Sequence, residues 1–239
     1  MVKIIKYIST MVLFFICMNS YGAPHEYKAI YSLTLKGIEF ANSEHKIEYN
    51  DEHKHWCLNT TSYTVSIFSL KEDYREENSC FNFNDSKYEN DKTNSPQKND
   101  YLSTKKYIFK RIKSNRQEKI VSEMKKGVLV SIFNDEHVEY DENSKIDRLV
   151  AQMFGYVLKK ISVSDKGRQR IYNFENMGET NIKSIFGDTK VIKIKKTILN
   201  NKRSTITWYS TERNYLPLMI EQYRLDKLMF KATLIEYKE

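Results

Sequence analysis

The most regular feature of this sequence is an alternation of apolar and polar residues with a period of two. It is clearest in residues 27–35, where apolar side chains occupy the odd positions, and it stops at Gly37. A period of two places alternate side chains on opposite faces of an extended strand. Further extended runs are predicted for residues 38–49, 56–65, 70–83, 107–112, 119–124, 128–133, 170–174, 180–186, 190–199, 204–209, 218–225 and 228–237. The pattern predicts a mainly β protein, with tight turns at Lys126-Gly127 and Asp226-Lys227.

One segment changes to a helical period. From Ser144 onward, apolar residues recur at the i, i+3 and i+4 spacing of an amphipathic helix. These residues are Ile146, Leu149, Val150, Met153, Phe154, Val157 and Leu158. Ser144 with Asp147 makes a start similar to a capping box, and Lys159-Lys160 suit the negative end of the helix dipole. We expect one long helix on one face of a curved, half-barrel-like antiparallel sheet, with the apolar residues in the core rather than on a membrane.

The first 22 residues have the organisation of a secretory signal peptide. Lys3 and Lys6 precede an apolar run over residues 7–18, and Ser20-Tyr21-Gly22 supplies small residues at the −3 and −1 positions of a cut before Ala23. The run is shorter than the roughly 20 residues that span a bilayer. We therefore expect a periplasmic mature protein that begins near Ala23 and does not span the membrane. An uncleaved membrane anchor is the alternative.

Residues 84–100 lack the strand pattern of their neighbours. This segment contains one aromatic residue, Tyr88, and no aliphatic residue. It cannot bury enough apolar surface to order itself, so we predict a long, exposed and disordered loop. Because strands of similar composition continue on both sides, residues 23–239 are predicted to form a single β-rich domain.

One of the three cysteines lies in the predicted signal segment and two lie in the predicted mature chain. Cys17 lies in the signal segment, after bulky residues that do not suit lipidation. Cys57 and Cys80 remain as an even pair in an exported protein, which favours one disulfide. Two buried free thiols are the alternative. The pair lacks the Cys-x-x-Cys spacing of thiol oxidoreductases.

Composition limits the classes of partner. Cleavage of the predicted signal peptide removes Lys3 and Lys6 and would leave 37 basic residues against 31 acidic ones, a net charge of +6. The charges are interleaved along the chain, as on an ordinary solvated surface, and no concentrated basic patch of the kind that binds nucleic acid is present. Seventeen tyrosines and twelve phenylalanines beside seven glycines fit a well-packed β-rich protein.

No catalytic or cofactor motif stands out in the sequence. His53 and His55 would face the same side of a strand and could be joined by Asp51 or Glu52, but zinc sites usually need three or four ligands at recognisable spacing. An exposed polar turn is the favoured interpretation of this segment. Ser103-Thr104-Lys105-Lys106 matches Ser-x-x-Lys by spacing, yet it opens a strand rather than a helix. We therefore assign no catalytic residue, no metal and no cofactor.

Several segments occur in an order that is similar to a known family. They are Tyr27 to Leu33 early in the chain, a helix beginning Ile146-Asp147-Arg148-Leu149, then Tyr172-Asn-Phe, Gly178-Glu-Thr, Phe186-Gly-Asp-Thr-Lys-Val and Thr207-Trp208-Tyr209 followed by Leu216-Pro217-Leu218. Together they resemble the exported bacterial family catalogued as domain of unknown function 3108. The resemblance implies an all-β exported protein with an added helix and no established reaction.

Two functions from different classes follow as hypotheses. The first is a non-enzymatic envelope protein that binds a lipid, a lipoprotein or a cell-wall component in the concave face of its sheet. Trp208, which shares a strand face with Ile206, would then lie at the floor of the concavity, or else in the core. The second is a hydrolase or transferase acting on envelope polymers, with His53 and His55 as candidates. Clustered histidines and carboxylates in the concavity would favour the enzyme.

Overall fold

The computed structural model describes residues 22–65, 68–69, 73–88, 101–114 and 116–239. The predicted signal segment, up to residue 21, and residues 89–100 of the predicted loop lie outside the described residues. The elements are β1 (Tyr27–Leu35), β2 (Ile38–Asn50), β3 (His55–Thr64), β4 (Asp73–Phe83), β5 (Leu102–Lys113), β6 (Arg116–Lys125), β7 (Val128–Phe133), β8 (His137–Asp141), β9 (Ile146–Asp147), α1 (Arg148–Met153), β10 (Lys160–Asp165), β11 (Arg168–Ser184), β12 (Gly187–Ile198), β13 (Arg203–Ser210), β14 (Pro217–Arg224) and β15 (Lys227–Lys238).

These strands belong to one sheet, in the order β8-β7-β6-β5-β4-β3-β2-β1-β15-β14-β13-β12-β11-β10-β9. Strands that are neighbours in sequence are hydrogen-bonded neighbours in space almost throughout. The exception is β8 and β9, which lie at opposite ends of the order. The pairing of β1 with β15 joins the two halves of the chain at the centre of the sheet. Neighbours are antiparallel except β9 and β10, which run parallel.

The sheet curves so that one face encloses the core, but its ladder does not close into a complete barrel. Register shifts interrupt several pairs, for example between Trp208 and Tyr209, and such bulges bend and twist strands. The inner face carries the alternating apolar positions: Ala29 and Tyr31 of β1 are both buried. The predicted mainly β fold with a curved antiparallel sheet is therefore confirmed.

The helix is shorter than the sequence predicts. Its N-cap is Asp147 rather than Ser144, because Ile146 and Asp147 pair with β10 as strand β9. The helix ends early, since the hydroxyl of Tyr209 donates to the carbonyl oxygen of Gln152 at 2.5 Å. The expected burial holds for Leu149, Val150, Phe154 and Leu158, whereas Met153 and Val157 are half-buried.

A buried hydrogen-bond network around Asp147 fixes where the helix begins. One carboxylate oxygen accepts from the backbone N–H groups of Leu149 (2.7 Å) and Val150 (3.3 Å), as an N-cap does. The other accepts from the hydroxyls of Ser79 on β4 and Thr104 on β5. The backbone N–H of Asp147 donates to the hydroxyl of Thr104 at 2.8 Å. The Asp147 network thus ties the helix to two strands of the opposite half of the sheet.

Other local predictions differ in detail from the structure. Residues 85–88 of the segment predicted to be disordered form a helical turn, and Tyr88 is 1 % exposed, because its ring packs between Phe83 and Tyr101. The last hairpin turns at Leu225 and Asp226, one residue earlier than predicted, with both residues at positive φ. The predicted turn at Lys126-Gly127 is confirmed, and β14 begins at Pro217, one residue before the predicted run.

Cys57 and Cys80 lie directly opposite each other on β3 and β4 and are joined by a disulfide, with their Cα atoms 4.1 Å apart. The disulfide cross-links two neighbouring strands in the N-terminal half of the sheet. A disulfide of this kind is typical of proteins in oxidising compartments. Among the residues that the structure describes, no helix has the length and apolar character needed to cross a membrane.

Candidate functional site

A cavity of about 800 Å³ lies between the inner face of the sheet and α1. Its lining residues fall mostly toward the end of the sheet at which β1 ends and β2 begins. At the opposite end the interior is filled by packed aromatic rings, including those of Phe154, Tyr156 and Tyr209. Arg148, Leu149 and Gln152 of α1 contribute to the lining.

One wall of the cavity is apolar. It is formed by four strands that are neighbours in the sheet, in the order β2, β1, β15 and β14. Its apolar side chains are Tyr31, Leu33, Phe40, Ala41, Ile220, Met229, Phe230 and Ala232. The rings of Phe40 and Phe230 are 6.5 Å apart, and Phe68 packs edge-on against Phe40. An apolar wall with a few convergent polar groups is the usual composition of a small-molecule site.

The strands on either side of this wall carry charge. The charged residues that line the cavity are the basic Arg75, Arg111, Arg148, Lys166, Arg168, Arg170, Lys196, Arg203 and Arg224 and the acidic Asp73, Glu77, Glu118 and Asp165. Nine basic groups therefore face four acidic groups. Arg75, Arg168, Arg170, Arg203 and Arg224 are exposed and lie where the cavity meets solvent, whereas Lys196 is buried. No continuous run of basic residues marks this set in the sequence.

An ion-pair network centred on Arg148 lies on the inner side of the cavity. Nη1 of Arg148 contacts both carboxylate oxygens of Glu77, at 2.5 and 2.6 Å, and its Nε lies 3.3 Å from Asp165. The hydroxyl of Tyr107 donates to Glu77 at 2.7 Å. Burial raises the pKa of Glu77, but Arg148 and Tyr107 outweigh this and hold it below its usual value. Glu77 is therefore ionised at neutral pH and engaged by Arg148.

Two lysines beside this network have no carboxylate partner among the described residues. Lys196 is 9 % exposed, and its Nζ lies 4.7 Å from the centre of the Tyr172 ring. Lys166 is half-buried, with its Nζ 3.7 Å from the centre of the Phe109 ring. Burial, together with the nearby charge of Arg148, lowers the pKa of each lysine to about 8. Nearby carboxylates, Glu77 and Glu118 for Lys166 and Asp165 and Glu77 for Lys196, offset part of this lowering without forming an ion pair with either ammonium group.

Nearer the strand ends, Asp73 is held between two arginines. Arg111 binds its carboxylate with two hydrogen bonds of 2.7 and 2.8 Å, and Arg75 binds it at 2.9 and 3.1 Å. Burial opposes ionisation of Asp73, yet the two guanidinium groups outweigh it and lower its pKa strongly. Asp73 therefore binds both arginines, and Glu118, which lies opposite Arg111 on β6, is a second acid beside them.

A serine and a histidine meet on the cavity side of β2. Nε2 of His45 lies 3.1 Å from Oγ of Ser43, which also contacts Oγ of Ser62 at 2.8 Å. Burial lowers the pKa of His45 to about 4, so the ring is neutral at pH 7. A serine nucleophile next to a histidine is a catalytic arrangement only if a third group orients the histidine. Among the described residues, no carboxylate hydrogen-bonds to His45.

The sequence-predicted site residues lie away from this cavity. Trp208 is 7 % exposed and lies on the opposite strand face from Thr207 and Tyr209, with Nζ of Lys193 5.5 Å from the centre of its ring, and it does not line the cavity. The rings of His53 and His55 stack 5.7 Å apart on an exposed turn. His55 is close to Cys57 and Cys80, but their sulfurs form the disulfide and are not free to bind a metal.

Sequence reasoning missed the charged cavity because its residues come from many strands. A period-two pattern assigns polar side chains to solvent, and several of these polar side chains point inward. One signal was available: Lys196 stands two residues from both Ile194 and Ile198, at a position where the alternation calls for an apolar side chain. Ser43 and His45 have the same i, i+2 relation on β2.

The fold and the cavity define this chain as a β-barrel-like protein, built from one curved sheet around an internal site. No family model and no curated protein matches the sequence. Among solved structures it is similar to a β-barrel-like protein of domain of unknown function 1849 from Brucella abortus, with a TM-score of 0.58 and 8 % identity over 89 % of this chain and 97 % of that one. The likeness shows a shared fold. It does not support domain 3108 specifically.

Proposed function

We propose that this chain is an exported envelope protein that binds an amphiphilic molecule, such as a lipid or the lipid-bearing part of a lipoprotein, without changing it chemically. The observation that carries the proposal is the cavity, which combines one apolar wall with charged flanks. Its volume of about 800 Å³ lies within the range of about 300–1,000 Å³ typical of small-molecule sites. A ligand with an apolar tail and a polar head matches both surfaces. A cell-wall fragment, which lacks a long apolar part, leaves the apolar wall unused.

Native mass spectrometry of the protein purified from its own envelope tests this proposal. We expect a population with added mass that organic extraction removes and releases as a lipid-like molecule. An Ala232→Trp variant should carry less of it, because Ala232 lines the cavity and the larger side chain occupies that space. Ile235→Trp is the matched control, since Ile235 lies on the same strand and is 48 % exposed. Protein that carries no adduct and takes up none from a lipid extract contradicts the proposal.

The alternative, a hydrolase or transferase acting on envelope polymers, has one observation in its favour, the contact between Ser43 and His45. Two features weaken it. A pKa of about 4 makes His45 a poor general base at neutral pH, and no carboxylate orients its ring among the described residues. A fluorophosphonate probe distinguishes the two functions. Labelling of the native protein that disappears in Ser43→Ala supports the enzyme, and no labelling supports the binding protein.

A further inference from the structure

The cation cluster, which we define as Arg148, Lys166 and Lys196, contains two cations that form no ion pair with a carboxylate among the described residues. Arg148 already engages Glu77 and Asp165. These two acids and Glu118 act on the lysines only through longer-range attraction, and the Nζ atoms of Lys166 and Lys196 lie over the rings of Phe109 and Tyr172. The electrostatic influence of Arg148 on both lysines places the three cations in one region of the cavity.

Such an arrangement is costly in a protein without a ligand. A buried ammonium loses its hydration, and an unpaired buried charge is among the most destabilising features a fold can contain. Contact with an aromatic face recovers only part of this cost. An anion bound beside these cations supplies negative charge and accepts the hydrogen bonds that an ammonium group can donate.

We propose that the cation cluster is the binding site for the anionic head group of an amphiphile whose apolar tail lies along the wall formed by β2, β1, β15 and β14. This inference rests on the proposed binding function and specifies the ligand class. A phosphate or a carboxylate head fits the cluster, because its charged oxygens can accept hydrogen bonds from the buried ammonium group of Lys196 and place negative charge near Arg148. The arginines nearer the strand ends, such as Arg203 and Arg224, add positive potential along the path into the cavity.

The test compares three probes that share one acyl chain and differ in the head group. Oleoyl lysophosphatidate has a phosphate head, oleate has a carboxylate head and monoolein has a neutral head. We expect isothermal titration calorimetry, below the critical micelle concentrations, to show both anionic probes binding at least about tenfold more tightly than monoolein. Lys196→Met should weaken both anionic probes by about tenfold to a hundredfold, as loss of a charged hydrogen bond does, and should leave monoolein unchanged.

Two controls separate the head-group site from general effects. Lys195→Met removes the same charge from the opposite face of the same strand, and we expect it to change no affinity. Thermal unfolding without ligand provides a second measurement, because Lys196→Met removes an uncompensated buried charge. Its unfolding midpoint should equal or exceed that of the unchanged protein, and a clearly lower midpoint would overturn the assignment of Lys196 as an unpaired cation.

The remaining outcomes are distinguishable. Equal binding of all three probes, unaffected by Lys196→Met, overturns the anionic site and leaves the binding function standing. Binding of none of the probes overturns the binding function together with this inference. Inorganic phosphate is titrated separately: if it binds as tightly as lysophosphatidate, the cluster is a site for a free anion, and the amphiphile part of the inference is wrong.

Discussion

Replacing Asp147 tests whether its hydrogen-bond network holds the helix and the sheet together. In Asp147→Ala the N-cap of α1 is lost, which costs about 1 kcal/mol. The hydroxyls of Ser79 and Thr104, which are 0 % and 1 % exposed, lose their acceptor. Each buried unsatisfied hydroxyl costs about 1–3 kcal/mol. Burial raises the pKa of Asp147 despite its hydrogen bonds. Removing the carboxylate therefore also removes the cost of burying it, which offsets part of the loss of stability.

The expected net loss is therefore about 3–5 kcal/mol of unfolding free energy for Asp147→Ala, built from the cap and the two hydroxyls. Asp147→Asn keeps one oxygen for the N–H groups of Leu149 and Val150 and should cost about 1–2 kcal/mol. Urea unfolding followed by far-ultraviolet circular dichroism, with the disulfide intact, measures both values. Stability should decrease from the unchanged protein to Asp147→Asn and then to Asp147→Ala.

Asp51→Ala is the matched control. Asp51 lies on an exposed turn, where it pairs with Lys54 at 3.3 Å, and its loss should change stability by no more than about 0.5 kcal/mol. If Asp147→Ala stays within about 0.5 kcal/mol of the unchanged protein, the network adds nothing net. The reasoning that it determines the position of α1 would then be refuted.

Four further predictions follow from the same structure. Phe154→Ala removes a fully buried ring that packs on Phe81, and should cost about 3–5 kcal/mol in urea unfolding; a cost below 1 kcal/mol would contradict core packing. Reducing the disulfide, whose cysteines are 23 residues apart, should lower unfolding free energy by about 3 kcal/mol, measured with and without reductant. The pKa of His45 is about 4 in the folded protein and 6.5 in the unfolded chain, so the unfolded chain binds an extra proton as pH falls from 6.5 to 4. About 3 kcal/mol of unfolding free energy should be lost in that window, and His45→Gln should abolish this component. N-terminal sequencing of the exported protein should begin at or near Ala23, and a membrane-bound form that retains Met1 would contradict cleavage.

The strands were predictable where alternation is strong or where a short apolar run follows a turn. β1 and β7 match their predicted bounds: apolar and polar positions alternate along β1, and β7 is a mostly apolar run directly after the turn at Lys126-Gly127. Two other strands were missed for opposite physical reasons. β8 has exposed apolar side chains, including Tyr140 at 72 %. β10 buries a polar residue, Ser164, so its inner face does not read as apolar.

The helix and the site depended on contacts that sequence spacing does not reveal. The apolar stripe was correct, but its helix was cut short by the hydrogen bonds of Asp147 and Tyr209, which lie far apart in the chain. The cavity is assembled from side chains on most strands of the sheet. Lys196 left a local signal. For Trp208 the sequence left two positions open, the floor of the concavity and the core, because alternation does not tell which strand face points inward.

The unclosed sheet has one place on its circumference where no ladder runs. There β9 lies against β5, joined by a backbone hydrogen bond from Thr104 to Lys145 and by the Asp147 network. Separating β2 from β3 would instead break a ladder that pairs residues 41–50 with residues 55–64. Local opening needs less free energy where fewer bonds must break together. Amide hydrogens of Thr104 and Asp147 should therefore exchange with deuterium sooner than those of His45, and the circumference of the sheet can widen at this junction without disturbing the rest of the ladder.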